Sequence, residues 1–261
     1  MIIGVGTARK FGRSVVSRFK DGELYVKVPK LKSATVVAGF TPPADNFLEL
    51  VFVLDALKRL KAKVNLIITY FGYARQDFPV VGEAGSAEVV ARILKSYVKN
   101  IVVFDLHSSK VQRFLKCKNI IPVKLFLPFV PKDVVLVAPD EGAVPRARLW
   151  QRFLRVPVVC LRKRRVSGRV EIVGMEGSVK GKNVLIVDDM IAAGSTVVET
   201  AKLLKKSGAK DIFVAVTHGL FCDGALSKLS KANIKKVFVT DSLPQKKHRL
   251  LKVVSVKGLL G

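Results

Sequence analysis

Six stretches of the chain are short, nearly continuous apolar runs: Thr35–Gly39, Val64–Thr69, Ile101–Phe104, Val134–Ala138, Val184–Val187 and Ile212–Val216. A strand that is apolar on both faces must be covered on both, which is the habit of parallel sheets overlaid by their crossover helices. Between the runs lie segments with helical spacing, among them Asn46–Lys61, Ala87–Lys99, Pro145–Leu154 and Val197–Ser207. The repeated β-α-β order predicts an open, doubly wound α/β sheet. With 261 residues, 49% of them hydrophobic, the chain can fill one large or two ordinary domains, and disorder is excluded for its bulk.

Two stretches share one pattern. Thr35–Gly72 and Asn183–Gly219 each run strand, polar loop, helix with a basic end, Lys-bearing turn and a second strand closing on Gly. Any two βαβ units share some of this likeness; a tandem pair of related domains is the other reading, and Pro128 and Pro131, bracketing a strand start near Val130–Asp133, favour it. The expected domains are 1–132 and 133–261, with the last ~15 residues packing back on the first. The halves are not chemically equal, because only the second carries the adjacent acids Asp188 and Asp189.

Charge narrows the partners. The 46 Lys and Arg against 20 Asp and Glu leave a net +26, which favours nucleotides, sugar phosphates, nucleic acid or an acidic membrane surface. Cys117, Cys160 and Cys222 are widely spaced and odd in number, so neither a disulfide framework nor a zinc site is predicted, and a reduced cytoplasmic protein is the expectation. The apolar opening Met1–Val5 is too brief for a signal peptide, and no run approaches the ~18 residues of a membrane span, so no membrane association is expected.

The richest segment is Val184–Val198, VLIVDDMIAAGSTVV. An apolar strand delivers Asp188 and Asp189 at its end, and Gly194, Ser195 and Thr196 then open a helix. Ligands of open α/β sheets bind at strand ends, and backbone N–H groups with hydroxyls at a helix N-terminus cradle phosphate. The plainer alternative is a strand-to-helix turn with Ser195 as N-cap. Two acids at a buried strand end, however, call for a cation or hydroxyl-bearing ligand.

This arrangement resembles the ribose-5-phosphate loop of the phosphoribosyltransferase fold, and four further segments are similar to those of one family within it, the ribose-phosphate pyrophosphokinases (phosphoribosyl diphosphate synthetases). They are FKDGE (Phe19–Glu23), TYFGYARQD (Thr69–Asp77), FDLHSSKVQRF (Phe104–Phe114) and VAPDEGAVPRA (Val137–Ala147). The likeness runs from Gly6 to about Gln245. It implies an α/β fold of two tandem phosphoribosyltransferase-like domains, each a mainly parallel sheet flanked by helices, the first on the ATP side and the second for ribose 5-phosphate. The implied activity is Mg²⁺-dependent transfer of the β,γ-diphosphoryl group of ATP to the 1-hydroxyl of ribose 5-phosphate.

The same resemblance distributes roles. Phe19, Asp21 and Glu23 would face adenine in a neighbouring subunit's site, implying a homodimer or larger homo-oligomer; on their own they read as an Asp-Gly turn. Arg75, Gln76, Asp77 and His107 would bind ATP, although Arg75 alone can also be read as a surface ion pair and His107 alone as a satisfied loop or core histidine. His107 and Asp140 would hold Mg²⁺ on the ATP phosphates, directly or through water, whereas Asp140 alone reads as a helix cap. Asp188 and Asp189 would take the ribose hydroxyls, and Gly194, Ser195 and Thr196 the 5-phosphate. The cationic run Cys160–Ile172 falls where the family has a flexible closing loop with a Lys-x-Arg pair, matched here by Lys163 and Arg165, the expected catalytic cations.

The match has departures. Ala192-Ala193 replaces the further acid or Ser-Thr pair usual in the family, which puts affinity for ribose 5-phosphate in doubt. FPVVGEAGSAE (Phe78–Glu88) lacks the basic stretch of the phosphate-activated class, so no allosteric phosphate site is expected, and the chain stops at Gly261, short of a C-terminal helix found in many members. A catalytically silent relative that regulates by binding nucleotide or RNA is the main alternative, motivated by the alanines and the excess charge. A base-using phosphoribosyltransferase should lack the segments around Arg75 and His107. ATP and a sugar phosphate need only about four to six cationic contacts, so most of the +26 has no role in such a site.

Overall fold

The computed structural model describes the backbone of residues 1–166 and 169–260, with side chains for all of these but 162–173. Two compact units form: one from Met1–Ile120, Ser242–Pro244 and the residues from Lys257 on, the other from Ile121–Asp241 and Gln245–Val256.

The first unit runs β1 (Ile2–Gly6), a hairpin of β2 (Val16–Arg18) and β3 (Leu24–Val26), β4 (Ser33–Phe40), α1 (Asp45–Arg59), β5 (Lys63–Phe71), α2 (Ser86–Tyr97), β6 (Asn100–Phe104), α3 (Ser109–Leu115) and β7 (Lys118–Ile120). Its five-stranded sheet has the order β1-β4-β5-β6-β7 and is parallel throughout. The order never reverses, so right-handed crossovers put successive helices over the same face. Accordingly Leu50, Val53 and Leu57 of α1, Val90 and Leu94 of α2 and Val111 of α3 share one core with Ile3, Val36, Leu66 and Val103 of the strands. The doubly wound expectation therefore fails for this unit, since double winding needs a reversal of strand order.

The second unit contains α4 (Val123–Phe126), β8 (Val135–Ala138), α5 (Val144–Leu154), β9 (Val158–Val166), β10 (Arg169–Glu176), β11 (Val184–Ile191), α6 (Ser195–Lys206), β12 (Ile212–Gly219), α7 (Ala225–Lys231), β13 (Ile234–Thr240) and β14 (Leu251–Val254). Its seven-stranded sheet runs β10-β9-β8-β11-β12-β13-β14, parallel except for the β9–β10 pair. Here the order does reverse, between β8 and β11. Strand side chains alternate between two cores as a result. Val135, Val137, Ile186 and Val214 pack with Val197, Ala201 and Leu204 of α6, while Leu136, Leu185, Val187 and Phe213 pack with Ala147 and Trp150 of α5. This unit is doubly wound, as the apolar runs predicted.

Two boundaries shift from expectation. α4 joins the second unit, ahead of the 132/133 cut, because Val123 and Phe126 belong to the α5 core, with the Phe126 and Trp150 rings 5.5 Å apart. At the other end, β14 completes the second sheet beside β13, so of the last ~15 residues those from Lys257 on group with the first unit and those before it with the second.

Candidate active site

Where strand order reverses, the connections leave the C-terminal ends of two adjacent strands in opposite directions, and a crevice opens above them. β8 and β11 are those strands, paired from Val135–Val137 to Val184–Ile186. Past β8, Asp140 starts a 3₁₀ turn, its Oδ1 accepting the Ala143 N–H at 3.1 Å, so the cap reading of this residue holds locally. Asp188 and Asp189 lie inside β11 rather than beyond it, because pairing with β12 continues through Ile191↔Gly219.

The acid pair packs against a buried arginine. Asp189 is buried, and its N–H donates to Asp188 Oδ1 at 2.9 Å. Arg146, in the first turn of α5 and itself buried, brings Nη1 to 3.7 Å from the same oxygen. Burial, and then the neighbouring Asp189, nevertheless push the Asp188 carboxyl well above the usual carboxylate range, with Arg146 pulling the other way. Such a site gains from an added cation or from hydroxyl donors. Its hard oxygen donors fit Mg²⁺, which keeps several waters and takes few protein ligands. Among the described residues no group of three or more His, Cys, Asp or Glu side chains is arranged to hold a metal.

The turn after β11 ends in Gly194, whose φ of +80° is left-handed and whose carbonyl accepts from the Val198 N–H at 3.0 Å. Gly194 is the N-cap and Ser195 the first helical residue, which corrects the reading of Ser195 as the cap. No side chain caps this twelve-residue helix. The first-turn N–H groups, which have no partner inside any helix, are thus left to a ligand or water, with Ser195 and Thr196 hydroxyls beside them. Ala192 and Ala193 are half-buried in the same turn.

Lys163 and Arg165 belong to β9 by their backbone, opposite Ile172 and Val170 of β10. Their side chains lie outside the described residues. Over its described backbone the segment expected to be the closing loop is an antiparallel ribbon, and the alternation Val170, Ile172 on its return strand is the signal for it.

In the first unit, Arg75, Gln76 and Asp77 follow β5, and His107 follows β6. The two strands are parallel neighbours, so both loops emerge at one edge of the sheet. The β5 loop starts with a close approach: a Cβ on Gly72 would lie 2.0 Å from the Phe40 carbonyl oxygen. Arg75 and His107 are exposed, whereas Asp77 is buried. Gln76 holds the start of α2, its side-chain oxygen accepting from the Ser86 hydroxyl and its carbonyl from the Ala87 N–H. Ser108 caps α3 by accepting from the Val111 N–H, next to His107.

The hairpin carrying Phe19, Asp21 and Glu23 is tied down at its base. Asp21 accepts the Glu23 N–H at 3.0 Å, and Phe19 is exposed, edge-on to Tyr25 with ring centroids 5.2 Å apart. Arg18 donates from Nη1 to the Gly22 carbonyl at 2.7 Å and from Nη2 to Asp45 of α1 at 2.9 Å. Behind it Glu49, buried on α1, accepts from the Gly6 N–H and from Arg9.

Arg146, Arg18 and Glu49 were not among the predicted site residues. For Arg146 and Glu49 a signal exists: each is a charge at a core-facing helical position, Arg146 one turn before Trp150 and Glu49 one turn before Val53. A charge placed there demands a buried partner.

The model of the N-terminal domain of ribose phosphate pyrophosphokinase matches residues 6–97, and that of the phosphoribosyl transferase domain matches 123–248. A ribose-phosphate pyrophosphokinase of Thermococcus kodakarensis is 38% identical over 245 residues, covering 90% of this chain and 87% of its own. That of Mycoplasma genitalium is 38% identical over 267 residues, covering 95% and 80%. Among solved structures, phosphoribosylpyrophosphate synthetase from Mycobacterium smegmatis superposes with a TM-score of 0.88 at 30% identity, covering all of this chain and 95% of that one.

Proposed function

The chain belongs to the ribose-phosphate pyrophosphokinase family and shares its enzyme class, and from that premise we propose that it moves the β,γ-diphosphoryl group of Mg-ATP intact to the 1-hydroxyl of ribose 5-phosphate. The sugar 1-oxygen forms a bond to the β-phosphorus, the bond from that phosphorus to the α,β-bridging oxygen breaks, and AMP leaves with both electrons of it. The products are AMP and 5-phosphoribosyl 1-diphosphate.

The observation that carries the proposal is the acid pair at the strand-order reversal, immediately ahead of a glycine-capped helix. Asp188 and Asp189 accept hydrogen bonds from the ribose hydroxyls, and Arg146 opposes the upward push of burial on the Asp188 carboxyl. The N–H groups opening α6, with the Ser195 and Thr196 hydroxyls, take the 5-phosphate. Arg75 and Asp77 position ATP with Gln76, which also fixes the loop; Phe19, Asp21 and Glu23 serve adenine in a neighbouring copy, so the active form is a homo-oligomer. His107 and Asp140 would hold Mg²⁺, which when bound would neutralise phosphate charge and ease loss of the 1-hydroxyl proton. Lys163 and Arg165 stabilise the equatorial oxygens as their charge grows. No helix among the described residues is long and apolar enough to cross a membrane.

The test is product identity. Protein, Mg²⁺, ATP and ribose 5-phosphate should yield AMP, without ADP. ADP would mean single phosphoryl transfer and defeat the proposal; an absence of turnover would favour the silent nucleotide-binding relative.

A further inference from the structure

The N-terminal edge of the first sheet is a lysine row with no acid in it. Each of the last four strands is entered through a segment that carries lysine: Lys32 before β4, Lys61 and Lys63 at β5, Lys99 before β6, and Lys116 and Lys118 at β7. Segments 28–33, 60–63, 97–100 and 115–118 contain no Asp or Glu. These strands are adjacent in the sheet, so the six ammonium groups stand on one rim spanning about 14 Å, three interstrand spacings of ~4.8 Å. All six are exposed, and none has a carboxylate within 4.0 Å among the described residues.

Two open cavities lie along this rim, of about 510 and 470 Å³. Lys61 and Lys63 line the first, Lys116 and Lys118 the second, and Lys99, Asn65 and Asn100 line both. Each falls within the size range of small-ligand pockets. The rim sits at the opposite end of the strands from Arg75 and His107, roughly 25–30 Å away along the nine residues of β5. It is therefore separate from the ATP-side loops and draws on charge that the proposed reaction leaves unused.

We propose that this edge binds single-stranded RNA through its sugar-phosphate backbone. Six unpaired cations on one rim repel one another, and a chain of phosphates removes that repulsion with release of its counterions. A row about 14 Å long is too wide for one phosphate and matches a run of several nucleotides. The Asn65 and Asn100 amides, inside both cavities, offer donors and acceptors to sugar or base edges. An acidic protein segment would also meet the charge, but none of the exposed large apolar side chains lines either cavity to receive its non-polar residues.

The experiment uses the full chain, without ATP or ribose 5-phosphate, and a fluorescein-labelled oligouridylate of about 12 nucleotides, read by anisotropy from about 50 to 300 mM KCl. With five to six phosphate contacts at ~0.7 each, the slope of log K against log[salt] should be between about −3.5 and −4.2. Replacing Lys61, Lys63, Lys99 and Lys118 together by Gln should weaken binding at least ~10-fold and flatten the slope by about 2 to 3. Turnover of ATP and ribose 5-phosphate should stay unchanged, which also shows that the variant folds; if it does not fold, Lys99→Gln alone should flatten the slope by about 0.7. A control removes the same charge from the second unit: Lys202, Lys206, Lys228 and Lys231, all exposed, replaced by Gln. Equal weakening by the control would overturn the proposal in favour of diffuse net charge. Displacement by poly-glutamate as effective as by unlabelled RNA would reassign the edge to an acidic protein, and the absence of salt-sensitive binding would end the proposal outright.

Discussion

Gly194→Ala separates backbone strain from phosphate binding in the proposed ribose-5-phosphate loop. At φ +80° an L-residue costs about 1–2 kcal/mol, while alanine recovers about 0.4–1 kcal/mol by loosening the unfolded chain less than glycine does. Space is not limiting, because the new Cβ would sit 3.4 Å from Ala225 Cβ and 3.7 Å from Leu229 Cγ. The net loss is about 0.5–1.5 kcal/mol, a fall in Tm of roughly 2–5 °C at this chain length. If the chain relieves strain by turning Gly194 out of the left-handed region, the first N–H groups of α6 swing with it. Losing one hydrogen bond to a charged phosphate is worth about 1.5–3 kcal/mol, so KM for ribose 5-phosphate should rise roughly 10- to 100-fold while KM for ATP stays within about twofold. Thermal melting and paired steady-state titrations read both. A fall in Tm with an unchanged ribose-5-phosphate KM would refute the cradle; an unchanged Tm would refute the strain. Gly72→Ala makes the contrast, since its Cβ would meet the Phe40 carbonyl oxygen at 2.0 Å and the fold itself should fail.

Four further outcomes are expected. Arg146→Met removes the buried cation 3.7 Å from Asp188 and should cost about 3 kcal/mol by denaturant unfolding, a loss mostly absent when Asp188→Asn is already present, because the Arg146–Asp188 pair is then already broken. Lys163→Ala should cut turnover about 10²–10³-fold with ATP binding by calorimetry nearly intact; equal loss of both would make it a ground-state binder. Arg18→Ala frees the hairpin from Asp45 of α1, so KM for ATP should rise several-fold, while stability changes by less than about 1 kcal/mol because the pair is exposed. Burial raises the Cys117 thiol to about 11, so at pH 8 it stays protonated and an aromatic disulfide reagent should react first at exposed Cys222, with Cys222→Ser removing the fast phase.

Much of this architecture is legible because buried parallel strands announce themselves: Ile186 and Val187 are both apolar since both faces of β11 are covered. Local pattern could not reveal winding. Thr35–Gly72 and Asn183–Gly219 look alike as βαβ units, yet helices cover one face in the first unit and both in the second, a difference set by whether strand order reverses. Acids and glycines of the candidate site were readable for a related reason, since Asp188, Asp189 and Gly194 violate the apolar and right-handed defaults around them. The exact frame was not. β11 runs past both acids because β12 is long enough to keep pairing, and the cap falls on Gly194 because it alone among its neighbours takes φ +80° without cost. The pairing of Arg146 is not legible in the sequence because its partner is far off in the chain, and only strand order sets Lys63, Lys99 and Lys118 side by side.

Double labelling of ATP tests the transfer most directly. In parallel reactions with [β-³²P]ATP and [γ-³²P]ATP, both labels should appear in the same ribose-phosphate product in equal amount, with unlabelled AMP formed one for one. Label from the γ position alone in the sugar, with β label left in ADP, would contradict transfer of an intact diphosphoryl group.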